Sequence, residues 1–291
     1  MKLFDLHCDT LSEMYKKGEG LFNNTCHISL DKCAYEHYTQ VMAVWSEHEL
    51  SEDQNYKRCL DILDYAEKHI RNIDTFTPIM AVEGGKLLNG DISRLDVLKS
   101  RGVKVFTLVW KGVSCIGGAY DNNEGLTPFG YEVVRRLFEY GIVPDLSHSN
   151  DLISYQVLKI AKEYGKPVIA SHSCSRSVYD HPRNVNDIVA REIALSGGVV
   201  GVNFVKDHLG ASDTDTLLLH IDRLLNIMGR NGVCIGSDFD GMSNDCLPDE
   251  IKNAGDVSKL FYAIRKKYGS EDLAEKILYS NGQSFAQNRL I

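Results

Sequence analysis

Two hydrophobic patterns alternate along the chain. Short apolar runs rich in β-branched residues occupy positions 2–6, 41–45, 79–82, 103–109, 142–146, 167–170, 199–203 and 233–236. Each is bounded by polar residues or glycine, as expected of strands buried on both faces. Between them apolar residues recur at helical spacing. One such segment begins near Ser149, lines up Leu152, Ile153, Val157, Ile160, Ala161 and Tyr164, and is ended by Gly165 and Pro167. Another has Thr127 as N-cap and Pro128 at the first helical position, buries Val133, Val134, Leu137 and Phe138, and stops at Gly141. Positions 213–228 and 256–264 read similarly. Positions 271–278 and 283–286 predict a helical tail packed on the outside.

Strand–helix alternation implies a parallel sheet. Eight runs suggest closure into a (β/α)₈ TIM-type barrel, and no linker or repeat divides positions 1–291, so a single barrel domain is expected. An open doubly wound sheet is the rival. It would carry a glycine-rich turn after the first strand, where this chain has His7-Cys8-Asp9.

Composition narrows the partners. A net charge of −8 repels phosphate backbones, which argues against nucleic acid. No apolar stretch reaches the ~18 residues of a membrane span. The N-terminal Met-Lys-Leu-Phe-Asp-Leu-His carries charge where a signal peptide is apolar. The eight cysteines show no C-x-x-C pair, so reduced thiols and a cytoplasmic location are expected. A homodimer is left open.

The informative positions are the run ends, since barrel enzymes place their chemistry at the C-terminal ends of strands. His7 and Asp9 follow the first run, Glu83 the third, His148 the fifth, His172 the sixth and Asp238 the eighth. His7 and Asp9, two apart on a strand, would face one side with Cys8 turned away. Alone that triplet reads as a surface histidine beside a capping aspartate. Glu83 precedes Gly84-Gly85, where the backbone must turn tightly, and its two oxygens can bridge two cations. His148 and His172 hold equivalent places on neighbouring strands, which favours ligation over isolated structural roles. Asp238 is nearer its strand end than Asp240, which reads as turn chemistry. Arg183 lies in the loop after the sixth run; overhanging a pocket, it would clamp a carboxylate. His181 is a spare candidate. His27, His37, His48, His69, His208 and His220 show no such pattern.

Imidazole and carboxylate donors without thiolates suit a hydrolytic metal site, with Zn²⁺ favoured and Mn²⁺ or Co²⁺ alternatives. His7 and Asp9 would hold one ion, His148 and His172 the other, and Glu83 would bridge. Two such ions about 3.5–4 Å apart lower the pKa of a shared water toward ~7 and generate hydroxide. Asp238 would shuttle the proton to the leaving amine, and Arg183 would fix the substrate's terminal carboxylate.

In order along the chain, His7-Cys8-Asp9, Val82-Glu83-Gly84-Gly85, Gly125-Leu126-Thr127-Pro128-Phe129-Gly130, Asp145-Leu146-Ser147-His148, Ser171-His172-Ser173, Arg183-Asn184-Val185, Val202-Asn203-Phe204 and Gly236-Ser237-Asp238-Phe239-Asp240-Gly241 resemble the membrane (renal-type) dipeptidase family, peptidase family M19. The resemblance implies a binuclear zinc dipeptidase with His7, Asp9, Glu83, His148 and His172 as metal ligands and Arg183 and Asp238 in substrate-binding and catalytic positions. Where the family's mammalian members carry a histidine after the fourth strand, near the scissile carbonyl, this chain has Trp110. An indole N–H donates one hydrogen bond and takes no proton. The reading is a metallo-dipeptidase acting on small dipeptides. A metal-dependent hydrolase of another small amide (an N-acyl amino acid or a lactam) is the alternative, and a non-catalytic metal-binding barrel the third reading.

Overall fold

The computed structural model describes residues 1–70 and 73–291. The strands are β1 (Lys2–Cys8), β2 (His37–Trp45), β3 (Phe76–Glu83), β4 (Val105–Thr107), β5 (Val143–Asp145), β6 (Val200–Val202) and β7 (Val233–Ile235). All pair in parallel, in the order β5-β4-β3-β2-β1-β7-β6. The helices are α1 (Thr10–Lys17), α2 (Glu52–His69), α3 (Ser93–Ser100), α4 (Pro128–Tyr140), α5 (Asp151–Tyr164), α6 (Asp187–Leu195), α7 (Lys206–Leu209), α8 (Thr214–Met228), α9 (Val257–Tyr268), α10 (Glu271–Glu275) and α11 (Asn281–Arg289). Among the described residues no helix is long and apolar enough to cross a membrane.

The two free edges of the sheet, β5 and β6, are joined by Ile169 and Ala170. Ile169 bridges Asp145, and Ala170 bridges Val200. Leu146 N–H donates to the Ile169 carbonyl at 2.8 Å, and Gly201 N–H to that of Ala170 at 2.9 Å. The ring is thereby closed into a (β/α) barrel, but the expected sixth strand, 167–170, shrinks to two bridging residues. Pro167 has no N–H to offer at its start. At its end, Ser171 gives its N–H to a side-chain oxygen of Asp145 at 2.8 Å instead of to a neighbouring strand.

Alternate strand residues separate the core. Phe4, Leu6, Val41, Ala43, Ile79, Ala81, Val105, Val143, Ile169, Val199 and Cys234 pack inside the barrel. Leu3, Cys8, Met42, Val44, Val82 and Phe106 pack outward beneath the helices. The tail departs from expectation. Phe285, Ala286 and Leu290 join the inner core instead of the outer layer, and α11 lies so close to Phe4 that a Cβ on Gly282 would sit 2.2 Å from its ring. Helix boundaries follow local chemistry: Thr127 accepts from Gly130 N–H at 2.9 Å, and Gly141 and Gly165 end α4 and α5 in the left-handed region.

Candidate metal centre

The site begins with an irregularity in β1. Phe4 and Leu6 point inward and Leu3 outward, yet Cys8 also points outward. The inside–outside phase therefore shifts between Leu6 and Cys8, where the pairing with β2 loses register. This bulge turns His7 into the barrel mouth. Asp9 has left the strand and stands at the N-cap position of α1, with no side-chain capping bond. The expected neighbours do converge, but through a bulge and a helix start, not through strand alternation. His7 Nε2 lies 3.7 Å from Asp9 Oδ2.

Glu83, the last residue of β3, divides its oxygens. Oε2 is 3.6 Å from His7 Nε2. Oε1 is 2.8 Å from His148 Nε2 and 3.4 Å from His172 Nε2. The outer nitrogens of the two latter rings are committed. His148 Nδ1–H donates to the Trp110 carbonyl at 3.0 Å. Ser171 gives its hydroxyl proton to Asp145 Oδ2 at 2.6 Å, so its oxygen accepts from His172 Nδ1–H at 2.8 Å. Both Nε2 atoms therefore present lone pairs, to each other at 3.0 Å and to Glu83.

Asp145 fixes this arrangement. It is fully buried and accepts from the Thr107 and Ser171 hydroxyls at 2.6 Å each, and from the N–H groups of Ser147 and Ser171 at 3.0 and 2.8 Å. Asp5 plays the matching part under His7. It accepts from Ser237 N–H at 2.9 Å and His7 N–H at 3.2 Å, and burial lifts its carboxyl to about 6.

Asp238 Oδ1 is 3.9 Å from His7 Nε2, while Oδ2 accepts from Asn203 Nδ2–H at 3.0 Å. His148 (φ 67°) and Asp238 (φ 65°) both hold left-handed backbone without being glycine. Such conformations cost on the order of 1–3 kcal/mol each and gather at functional sites.

Electrostatics push these groups apart. Burial raises Asp238, and raises Asp9 to about 7 with help from Glu83. Burial opposes charge on His7 and Glu83, but the attraction of Glu83 and Asp9 lifts His7, and that of His7 and His148 lowers Glu83. Burial lowers His148, with Arg183 adding to it, and lowers His172 far more, with His7 adding to it. His148 and His172 are thus held neutral, while His7 is favoured as imidazolium and Glu83 as carboxylate on a buried floor.

Arg183 is 5% exposed, and among the described residues neither terminal nitrogen has a hydrogen-bond partner, although the guanidinium lies 5.7 Å over the Tyr120 ring. Its loop is clamped by Arg176, which donates to the Asn184 carbonyl at 2.9 Å and pairs with both oxygens of Asp151 at 2.7 and 3.0 Å. Arg183, Asp9, Glu83, His148, Asp238 and Trp110 line one cavity of about 700 Å³.

The sequence pattern of the membrane dipeptidases (peptidase family M19) matches residues 1–284. The chain belongs to this M19 family. It is an enzyme of the metallo-dipeptidase class. An uncharacterised protein in the pqqA 5′ region of Klebsiella pneumoniae is 30% identical over 238 residues, 77% of this chain and 85% of its own length. An uncharacterised dipeptidase of Schizosaccharomyces pombe is 30% identical over 213 residues, 70% of this chain but 49% of its own. Among solved structures, the M19 metallopeptidase dipeptidase AC superposes with a TM-score of 0.90 at 22% identity, over 100% of this chain and 99% of that one. A metallopeptidase of Rhodobacter sphaeroides, liganded with a phosphinate mimic of L-Ala-D-Ala, gives 0.88 at 23% identity over the same shares.

The donor set of this M19 chain suits metal. Three groups of ligand atoms, each within 4.8 Å, are His7-Asp9-Glu83, Glu83-His148-His172 and His7-His172-Asp238. Among the described residues, His7 Nε2, Asp9 Oδ1 and Glu83 Oε1 are buried without a hydrogen-bond partner. Orphaned buried donors and acceptors are costly, and cations between them would satisfy all three. Sequence reasoning overlooked Asp145, Ser171 and Asn203, although each lies inside a motif quoted above. His208, which also lines the cavity, carried no pattern at all. Asp240 has the left-handed backbone of a turn residue (φ 66°), but its side chain ties distant segments together, accepting from the Thr10 hydroxyl at 2.6 Å and His27 N–H at 2.7 Å. His220 is structural, with both ring nitrogens bonded to backbone.

Proposed function

We propose that this M19 enzyme is a binuclear zinc dipeptidase that hydrolyses small dipeptides, working as one domain over residues 1–291. His7 and Asp9 would hold one ion and His148 and His172 the other, with Glu83 between them through its two oxygens. When bound, such ions polarise the scissile carbonyl and lower the pKa of water toward ~7. Asp238, whose pKa burial raises, takes the proton of the attacking water and returns it to the leaving amine. Trp110 donates its indole N–H to the substrate.

One observation carries the substrate class: the buried guanidinium of Arg183, 5.7 Å over the Tyr120 ring and with no hydrogen-bond partner for its terminal nitrogens among the described residues, opens into the same cavity as the donor ring. A desolvated cation needs an anion, and the terminal carboxylate of a dipeptide supplies one at a fixed reach from the hydrolytic centre. The free state of all eight cysteines suits a reducing cytoplasm, where we place the enzyme.

The test is a dipeptide assay. Chelation should abolish turnover, and Glu83→Gln should lower kcat by about 10²–10⁴-fold. Arg183→Met should raise KM by about a hundredfold, two hydrogen bonds from a charged group being lost. Full turnover by metal-free protein would overturn the proposal. An unchanged KM in Arg183→Met would point to a small amide without a carboxylate.

A further inference from the structure

We infer that His208 is a specificity-determining residue, a second ligand for the substrate's terminal carboxylate that donates a ring N–H beside Arg183. This rests on the reading of Arg183 as the carboxylate clamp.

The buried His220 and the half-buried His208 are built differently. His220 Nδ1 accepts from Ser175 N–H at 3.1 Å and its Nε2–H donates to the Leu209 carbonyl at 3.0 Å. That ring is saturated and has nothing left for a ligand. His208 lines the cavity that Arg183 lines. Among the described residues no protein group hydrogen-bonds to its ring nitrogens; its one ring neighbour is His181, with centroids 5.0 Å apart.

The backbone holds this ring in register with the clamp. Asn184, next to Arg183, donates its side-chain N–H groups to the His208 carbonyl at 2.7 Å and the Tyr179 carbonyl at 2.9 Å. His208 N–H donates to the Val205 carbonyl at 2.9 Å. His181 Nδ1 accepts from Arg183 N–H at 3.2 Å. The loop carrying His208 and the loop carrying Arg183 are therefore tied into one wall.

Charge agrees with this role. Burial, then the adjacent Arg183 and His181, hold the His208 imidazole neutral. A neutral ring does not repel the guanidinium and still offers one N–H. A carboxylate seated on the Arg183 fork retains free lone pairs, and a third donor from the side adds geometric selection without adding charge. A carboxamide offers one uncharged oxygen in place of two, so the Arg183 fork and the His208 N–H compete for it and it gains little from the third donor.

The experiment is isothermal titration of metal-loaded protein with a phosphinate dipeptide mimic bearing a free carboxylate, and with its carboxamide analogue. Wild type, His208→Leu, His208→Asn and Arg183→Met are compared, each checked for an unchanged melting temperature. His208→Leu should weaken the carboxylate ligand about tenfold, the worth of one hydrogen bond to a charged acceptor, and the carboxamide less than twofold. His208→Asn, which keeps an N–H donor, should recover most of the loss. Equal affinities in wild type and His208→Leu, or equal losses for both ligands, would overturn the inference. If Arg183→Met weakens the carboxylate ligand while His208→Leu does not, this inference fails and the clamp stands. If neither variant discriminates the two ligands, the clamp falls too.

Discussion

His148 Nε2 and His172 Nε2 face each other across 3.0 Å with no proton between them, because the Nδ1–H of each ring is committed to Trp110 or Ser171. Opposed lone pairs in a buried site are a standing cost that a cation removes. Metal should therefore stabilise the fold as well as serve the reaction. At a hundredfold excess over Kd the linkage gain is about 2.7 kcal/mol, or a rise in Tm of roughly 5 °C or more. Thermal unfolding of chelated protein with and without Zn²⁺ checks this; coincident transitions would contradict it.

The Asp145–Ser171 pair sets the His172 ring, and the Ser171 oxygen also lies 3.4 Å from His7 Nδ1. Removing such outer partners of metal ligands typically costs 10–100-fold in metal affinity. Ser171→Ala should show a loss of that order in competition with a chromophoric chelator. Affinity equal to wild type would show that the hydroxyl has no part in orienting the ligands.

Much of this site was legible because strand ends can be read from hydrophobic pattern, and Glu83, His148, His172 and Asp238 all sit at or just after one. The reasons were less legible. Strand alternation predicts Asp9 beside His7, whereas a bulge at His7 and the start of α1 deliver it. The apolar run 167–170 predicts a full sixth strand, since such a run does not reveal that Ser171 turns its N–H to Asp145. Beside the local bond to Ser147, Asp145 reaches Ser171 and Thr107, 26 and 38 residues away, a tertiary relation with no local pattern. His208 lies in a loop whose meaning appears only once it meets the Arg183 loop.

Asp238 is assigned the proton transfer. Asp238→Asn keeps an oxygen acceptor for Asn203 but carries no ionisable proton. Its kcat should fall by about 10²–10⁴-fold with KM nearly unchanged. A loss confined to KM would make Asp238 a binding group instead.

Acid stability should report on His208. Burial, then Arg183 and His181, hold its pKa down to about 2, against an ordinary 6.5. Above pH 6.5 the ring is neutral in both folded and unfolded chains and contributes no pH dependence. Below 6.5 the unfolded chain takes up a proton that the fold refuses, so stability falls by up to about 1.4 kcal/mol per pH unit. Urea unfolding of chelated protein from pH 7.5 to 5 should show a shallower decline in His208→Gln than in wild type. Parallel curves would contradict the assignment.

Anomalous scattering at the zinc edge, from crystals grown with Zn²⁺, tests the central claim most directly. Two peaks are predicted, one at about 2.0–2.2 Å from His7 Nε2 and an Asp9 oxygen, the other equally near the Nε2 atoms of His148 and His172, with Glu83 reaching both. A zinc-free donor ring, or zinc held only elsewhere on the molecule, would contradict it.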